Sequence, residues 1–587
     1  MKAFTEPLLS LAGFEEMTKT AEKSSGLISV TGCIDAQKSQ MIYAFGGHRK
    51  NKLIVTFGEQ KAKELYDEYS FFDKEVVYYP SKDVLFYQSD IRGNLLTAER
   101  IRALKAIREQ ESVTLVTTFD ALMNTMAPIE KMWENVLTLE QGQLLDLKEI
   151  QAALIRMGYE KEYQVQTMGQ FSVRGGILDV FPLTEENPIR IELWGDEIDT
   201  IRYFDCESQK SIENTDRVSI YPAAELVLSD EEKAGGIEKL KAEAKRVSDK
   251  LRKQMKTEEA HRVTVMADEL TEEWGELSMY AGMDAFLSYF FDERVGLLDY
   301  FKPSDSLIFF DELTRCTEQG KLTETEFSES MKQRLAMGYI LPGQMNGLFT
   351  EKEIVAKLGK YSCVALAALD NKANGLHQLG SYGIHCQSVS PYNNSFELLV
   401  KDLKRYKKNG YRVILLSGSR TRAKRLSEDI TDQGITCFYT ENYDHELFEG
   451  QIMVCYGKVR RGFEYPILKF AVITESDIFG AQQKKKKRHR TYEGEKIQSF
   501  TDLSVGDYVV HENHGLGIYR GIEKLEVDKK VKDYIKIEYQ GGSSKSFSSL
   551  LEQANCIFSG SQIIVILNPP SLDFKLSFFI ISSLSLV

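Results

Sequence analysis

The sequence predicts a multidomain α/β protein, and three observations support that fold class. At 587 residues the chain is too long for a single hydrophobic core. Strand-like and helical runs alternate over residues 27–125 and again over 360–475, which is typical of parallel sheets with helical crossovers. Beyond residue 499, short strands separated by turns predict a small β-barrel, which we expect to be incomplete.

Changes in sequence character divide the chain into seven segments. A helix followed by alternating strands and turns indicates an inserted α+β domain, and an abrupt change of composition after Gly542 ends the strand pattern. The predicted segments are 1–131 (first α/β domain), 132–222 (inserted domain), 223–345 (further part of the first domain), 346–478 (second α/β domain), 479–498 (basic linker), 499–542 (barrel) and 543–587 (aberrant tail).

Composition limits the function classes. The net charge of −13 argues against a protein that coats nucleic acid over its whole surface. The basic run Lys484–Arg490 either contacts a phosphate backbone or forms a solvated linker, and we favour the linker because aromatic residues are missing from the run. Proline and charged residues interrupt the apolar tail from Ile563 to Val587, so we expect no membrane anchor.

The eight cysteines form no CxxC pair, which argues against a zinc ribbon and provides no disulfide framework. The histidines of HENHG have no further histidine or cysteine nearby, so we expect no metal site. The N-terminal residues lack a secretory apolar region. Together these features predict a cytoplasmic protein.

The stretch LISVTGCIDAQKSQMI resembles a degenerate phosphate loop. Gly32 follows a strand, and Lys38 with Ser39 stands where such a loop places its cation and its magnesium ligand. Gln37 replaces the second glycine, whose backbone turns with positive φ so that N–H groups point at the phosphates.

The strand-end pair Asp311 and Glu312 in LIFFDE is a candidate for the acidic half of the same site. A working nucleotide site remains one interpretation, and we favour the other, in which both halves are relics that hold a sheet together.

The inserted domain carries a candidate binding face. In PIRIELW, period two places Arg190, Glu192 and Trp194 on the face opposite the isoleucines. In QFSVRGG the same alternation leaves Arg174 outward at a bend. Two guanidinium groups are suited to bind carboxylates of a partner while the indole fills a pocket. The alternative is an exposed arginine and a half-buried tryptophan in an ordinary hairpin.

Several long motifs resemble one family. FSVRGGILDVFP, PIRIELWGDEIDTIRYFD, RGFEYPILKFAVITESDIFG and LSVGDYVVHENHGLGIYRGIEKLEVDKKVKDYIKIEY are similar to the bacterial transcription-repair coupling factor, Mfd, in the family's order over about residues 1–541. The resemblance implies a UvrB-like helicase-type module, an inserted domain that docks UvrA through Arg174, Arg190 and Trp194, and an SH3/Tudor-like barrel that binds the RNA polymerase β subunit through Leu525.

The family also continues with motor domains that use ATP and magnesium to move on DNA, and their motifs are missing from this sequence. We therefore expect a transcription-coupled repair adaptor, truncated by a frameshift or early stop near Gly542, that needs no cofactor and has little or no affinity for DNA. Two alternatives stay open, a UvrB-like ATPase that uses Lys38 and Asp311, and a fragment without function.

Overall fold

The computed structural model describes residues 1–46, 49–82, 94–276, 283–369 and 375–480, together with five strands nearer the C-terminus. Two compact units divide the chain, Met1–Gln482 and Gln483–Val587. In the described residues, no helix combines the length and apolar character that crossing a membrane requires.

The strands, in chain order, are β1 (Gly26–Thr31), β2 (Asn51–Thr56), β3 (Val77–Tyr79), β4 (Thr114–Thr118), β5 (Leu137–Glu140), β6 (Glu160–Lys161), β7 (Gln170–Arg174), β8 (Ile177–Val180), β9 (Ile189–Trp194), β10 (Glu197–Phe204), β11 (Ser211–Thr215), β12 (Arg217–Ile220), β13 (Ser306–Asp311), β14 (Ser362–Leu366), β15 (Gln378–Gly383), β16 (Gln387–Ser388), β17 (Arg412–Ser417), β18 (Phe438–Tyr439), β19 (Ile452–Tyr456), β20 (Phe463–Tyr465), β21 (Phe470–Thr474), β22 (Tyr508–His511), β23 (Gly515–Val527), β24 (Lys530–Tyr539), β25 (Ile563–Ile566) and β26 (Phe578–Ile581).

The α-helices are α1 (Lys2–Leu9), α2 (Phe14–Lys23), α3 (Asp35–Phe45), α4 (Glu59–Tyr69), α5 (Asn94–Glu109), α6 (Phe119–Met123), α7 (Ile129–Glu134), α8 (Leu147–Arg156), α9 (Asp230–Lys253), α10 (Thr257–Glu276), α11 (Leu287–Phe290), α12 (Leu313–Ala336), α13 (Glu351–Leu358), α14 (Phe396–Lys408), α15 (Arg420–Asp432) and α16 (Glu475–Phe479). Short 3₁₀ helices cover Met283–Phe286, Leu297–Tyr300 and Pro342–Asn346.

The first α/β domain is built on a seven-stranded parallel sheet in the order β15-β1-β14-β13-β2-β4-β3. Its inner strands are apolar and buried on both faces, as parallel strands between helical layers require. This confirms the predicted parallel sheet. Strands β14 and β15 belong to it, although they lie beyond residue 345, where the sequence analysis began the second α/β domain.

The inserted domain is a six-stranded sheet in the order β11-β10-β9-β8-β7-β6, antiparallel except for the β6–β7 pair, and β5 pairs separately with β12. One face of the sheet packs against α8 through a small apolar core that includes Leu154, Leu178, Ile189 and Ile191. The opposite face is left to polar residues. The chain then returns through two long helices, α9 and α10, in the charge-rich region.

The second α/β domain has a mixed sheet in the order β16-β20-β21-β17-β19-β18. Helices α14 and α15 share a core with one face of this sheet. Residues of the other face, including Leu416 and Met453, join one continuous apolar cluster with Met41 and Ile42 of α3. The two α/β domains are therefore packed together across the helix that follows β1.

The described strands of the C-terminal unit form a five-stranded antiparallel sheet in the order β24-β23-β22-β25-β26. The pairing is that of an open sheet, and closure into a barrel is not seen among the described strands. The expectation that the strand pattern ends after Gly542 was wrong, because β25 and β26 lie in the tail and extend this sheet.

Candidate functional site

The phosphate-loop remnant lies at the carboxyl end of β1, where parallel sheets bind ligands. Gly32 has a φ of +77°, and a Cβ at this position would lie 2.0 Å from the backbone oxygen of Ile384. The N–H groups of Gly32 and Cys33 donate to the backbone oxygens of Ala368 (3.2 Å) and Ala367 (2.9 Å). Glycine is thus required here by close packing, and the first N–H groups of the loop are already used within the fold.

Gln37 is a buried residue inside helix α3, which begins at Asp35. The sequence analysis noted that Gln37 replaces the glycine whose positive φ a working phosphate loop needs, and the structure agrees, because Gln37 lies within a right-handed helix that starts before that position. The Tyr465 hydroxyl, from the second α/β domain, donates to Oε1 of Gln37 (3.1 Å) and approaches Oε1 of Gln40 at 3.3 Å. The segment is packed as an ordinary domain interface rather than as an open loop.

Lys38 forms a buried ion cluster with the predicted acidic half of the site. Its Nζ donates to Asp311 (2.5 Å), Glu312 (3.0 Å) and Asp35 (3.1 Å), and only 2% of the side chain is exposed. Burial alone lowers the pKa of an ammonium group, yet the facing carboxylates, Asp311 first, raise the pKa of Lys38 above its ordinary value. The structure thus brings together Lys38, Asp311 and Glu312, as the sequence predicted.

These residues do not fit ATP with magnesium. Two ammonium groups, Lys38 and Lys61, face three carboxylates, so the cluster carries an excess of negative charge before any phosphate arrives. The Ser39 hydroxyl is buried and lacks a hydrogen-bond partner in the described part of the chain, so it is not presented to a ligand. That same part holds no group of three or more metal-binding side chains suited to an ion.

The second candidate site is the polar face of the inserted sheet. Along β9, Ile189 and Ile191 are buried, whereas Arg190 and Glu192 are partly exposed on the other face. Trp194 ends the strand before a tight turn to β10, and 84% of it is exposed. An indole with this exposure is a large apolar group in water, which is typical of an interaction site.

Both predicted arginines bind the same carboxylate. Arg190 donates through Nε to Oδ1 of Asp179 (2.7 Å) and through Nη2 to Oδ2 (2.9 Å), and Arg174 donates through Nη2 to Oδ2 (2.9 Å). Arg190 also donates to Gln209 (2.8 Å), and its guanidinium carbon lies 4.3 Å from the centre of the Phe204 ring. The arginines therefore lie on the expected face, but the prediction missed the internal acceptor that holds them.

An acidic cleft borders Trp194. Its volume is about 700 Å³, and its charged lining comes from β5, β10, the start of β12 and the residue before it. The charged lining residues are Glu140, Glu197, Asp199, Asp216 and Arg217. The face thus has two arginines at one end and carboxylates near the tryptophan.

Three residues of this face were missed by sequence reasoning, namely Asp179, Gln209 and Tyr163. Tyr163 is 83% exposed, and its backbone oxygen accepts a hydrogen bond from Ser172, the cross-strand neighbour of Asp179. Period two along β8 was the available signal for Asp179, because this residue lies between the buried Leu178 and Val180 of the opposite face.

Leu525 lies on β23 in the C-terminal unit, opposite Lys532 of β24. Pairing with β22 covers only Gly515–Ile518 of β23, so the two-stranded β23–β24 ribbon extends past β22 at Leu525. Among the described strands, this leaves one backbone edge of β23 without a neighbour at the predicted contact position.

The fold and the two sites define a class of protein. It is a multidomain α/β protein whose nucleotide position is filled by its own side chains and whose inserted domain presents a face with an exposed tryptophan and two arginines.

Comparison with known proteins agrees with this class. Residues 137–226 match the family described as "UvrB interaction domain", and residues 503–548 match the "CarD-like/TRCF RID domain". The transcription-repair-coupling factor of Bacillus subtilis (strain 168) is 30% identical over 491 residues, which are 83% of this chain and 41% of the relative. The corresponding protein of Staphylococcus haemolyticus (strain JCSC1435) is 30% identical over 526 residues, 88% of this chain and 44% of the relative.

The chain is therefore similar to the N-terminal part of the transcription-repair-coupling factors, as the sequence motifs predicted. It spans less than half the length of the relatives that it matches.

Proposed function

We propose that this chain is an adaptor of transcription-coupled nucleotide excision repair that recruits UvrA through Arg174, Arg190 and Trp194. The observation that carries the proposal is Trp194, which is 84% exposed on the same sheet face as the two arginines, in a domain that matches the UvrB interaction family. An exposed indole and oriented guanidinium groups on one face are the composition of a binding hot spot. The buried isoleucines of β9 explain why this face, and not the opposite one, is available to a partner.

Calorimetric titration of the chain with a bacterial UvrA tests the proposal. Trp194→Ala is expected to weaken binding by 2 kcal/mol or more, roughly a thirtyfold increase in Kd, because a hot-spot anchor is removed. Arg190→Ala is expected to have a comparable effect. Tyr339→Ala, at an aromatic residue that is 51% exposed in the first α/β domain, is the matched control and should leave Kd unchanged. Equal affinities for all four proteins would refute the assignment.

A second partner is supported by the C-terminal unit. We propose that this unit binds the β subunit of RNA polymerase by pairing a strand with the edge of β23 near Leu525. Leu525→Pro removes a backbone donor and should abolish capture of purified polymerase, whereas Leu525→Ala keeps the backbone and reports on the side chain alone. Capture that survives both substitutions would rule out this contact.

We further propose that the chain acts without bound nucleotide. The ion pairs of Lys38 support this proposal, because a phosphate would have to displace three carboxylates from its ammonium group. A nucleotide at about 100 times its Kd stabilises a folded protein by about 2.7 kcal/mol, so ATP with magnesium should leave the thermal transition unmoved. A clear upward shift would favour the ATPase alternative.

A further inference from the structure

We infer that Asp179 is a positioning residue, whose buried carboxylate fixes the direction in which Arg174 and Arg190 meet an acidic or carbonyl acceptor of the partner. The inference rests on the proposed recruiting function and deepens it, because it assigns the origin of the arginine geometry to one residue that never touches the partner.

The carboxylate of Asp179 contacts the two arginines and is not available to a partner. It is 1% exposed, so its carboxylate is out of reach of another protein. Its Oδ1 accepts from Nε of Arg190, and its Oδ2 accepts from the Nη2 atoms of both arginines. Asp179 and Arg190 are direct cross-strand neighbours on β8 and β9, so the sheet register itself sets this geometry.

Arg190 is held on further sides as well. Its guanidinium carbon lies over the Phe204 ring, 4.3 Å from the ring centre, and Gln209 accepts a hydrogen bond from Nη2 at 2.8 Å. Only 12% of the Arg190 side chain is exposed, compared with 35% for Arg174. A side chain that is already ordered loses little further freedom when a partner binds, so the pair is preorganised.

The charge balance indicates what the pair can receive. One carboxylate faces two guanidinium groups, which leaves a net positive charge on the cluster. A guanidinium has five N–H donors. Asp179 takes two from Arg190 and one from Arg174, and Gln209 takes a third from Arg190, so both groups keep unused donors. The remaining donors suit a carboxylate or a backbone carbonyl of UvrA.

Asp179→Asn tests the role in the full chain. An asparagine has one acceptor oxygen, and its NH₂ group would face a guanidinium donor, so at least one of the three hydrogen bonds is lost. We expect the Kd for UvrA to rise about tenfold or more. Asp402→Asn, which removes a carboxylate paired with Arg405 on the surface helix α14, is the control and should leave Kd unchanged.

Two further measurements separate positioning from general damage to the sheet. The Nε–H resonance of Arg190 should lose its protection from exchange in Asp179→Asn, while acrylamide quenching of Trp194 fluorescence stays as in the wild type. Lost affinity with a changed Trp194 environment would show that the whole face has collapsed and would overturn the inference. Unchanged affinity in a folded Asp179→Asn protein would overturn it directly.

Gln209→Asn keeps the test decisive if Asp179→Asn does not fold. Gln209 has a φ of +58°, which asparagine tolerates, and the shorter side chain withdraws one acceptor from Arg190 without leaving a buried charge. A rise of about threefold in Kd is expected, because Gln209 holds the same guanidinium that Asp179 directs, and an unchanged Kd would contradict the claim that the fixed direction of Arg190 governs binding. If the wild type itself does not bind UvrA, the proposed function fails. If binding depends on Trp194 but not on Asp179 or Gln209, the proposed function stands and only the positioning inference is rejected.

Discussion

Lys38 stands at the lysine position of a phosphate loop, but its ammonium group pairs with carboxylates of the protein itself. In a phosphate loop the lysine reaches the outer phosphates of a nucleotide. Here only 2% of the Lys38 side chain is exposed, and its ammonium group donates to Asp35, Asp311 and Glu312. It neutralises the buried carboxylate of Asp311 and pairs with the more exposed Asp35 and Glu312, which contributes to stability.

Lys38→Met is expected to destabilise the first α/β domain by about 3–5 kcal/mol, because its removal leaves the buried carboxylate of Asp311 uncompensated. Lys61→Met is the matched control. Lys61 is 20% exposed and pairs at 2.9 Å with Asp35, itself 71% exposed, so its loss should cost about 1 kcal/mol or less. Thermal unfolding followed by circular dichroism compares the two variants. Equal, small shifts would show that Lys38 is not needed by the fold.

At the residue scale, the sequence predicted that Lys38 lies near Asp311 and Glu312, but it did not predict the contacts of the neighbouring Gln37. It placed Lys38 with Asp311 and Glu312 because each group follows a buried parallel strand. Lys38 lies in the helix after β1, and the two acids lie at the end of β13. The sequence did not predict that Gln37 accepts a hydrogen bond from the hydroxyl of Tyr465, which lies more than 400 residues away in the chain. A single sequence does not show such a contact.

At the scale of elements, the alternation along β9 predicted the outward face, and the structure confirms it for Arg190, Glu192 and Trp194. Period two works here because one face of the sheet is buried and the other is not. Asp179 escaped prediction because its pairing with Arg190 depends on the register between two strands. Strands β14 and β15 were assigned to another domain for a similar reason, since their neighbours come from distant parts of the chain.

A second element-scale feature ties the exit of the inserted domain to helix α5. Arg100 is fully buried and binds both carboxylate oxygens of Glu225 (2.7 and 3.0 Å), while Lys82 pairs with the same carboxylate at 3.1 Å. Arg100 also donates to the backbone oxygen of Pro80 at 2.6 Å. These contacts fix where the chain leaves the inserted domain, and with it the attachment of the binding face.

This network predicts acid sensitivity. Burial raises the pKa of Glu225, but Arg100 and Lys82 outweigh it and lower the pKa from 4.5 to about 2. The stability gained from Glu225 is therefore complete above about pH 4.5 and is lost as the pH falls towards 2, by on the order of 3 kcal/mol. Glu225→Gln should lower the melting temperature at pH 7 and flatten its dependence on pH below 5.

The control for this prediction is Glu140→Gln. Glu140 pairs with Arg217 at 3.3 Å, and both side chains are more than half exposed, so its removal should leave the acid profile unchanged. If wild type and Glu225→Gln lose stability in parallel between pH 5 and pH 3, the buried network is not the source of acid sensitivity.

At the scale of the whole molecule, the interface of the two α/β domains and the proposed binding face are built on different hydrophobic cores. The two α/β domains share one apolar cluster across α3, the helix that carries Gln37 and Lys38. The inserted domain keeps its own small core and exposes Trp194. The C-terminal strands form a separate unit that matches a different family. This organisation is compatible with the adaptor function proposed above.

Hydrogen–deuterium exchange of the full chain, with and without UvrA, tests the central claim most directly. Recruitment through the proposed face predicts new protection in β9 (Ile189–Trp194) and β7 (Gln170–Arg174), with none added at α3, which is already buried. Protection by UvrA that appears elsewhere and leaves β9 unchanged would contradict the account.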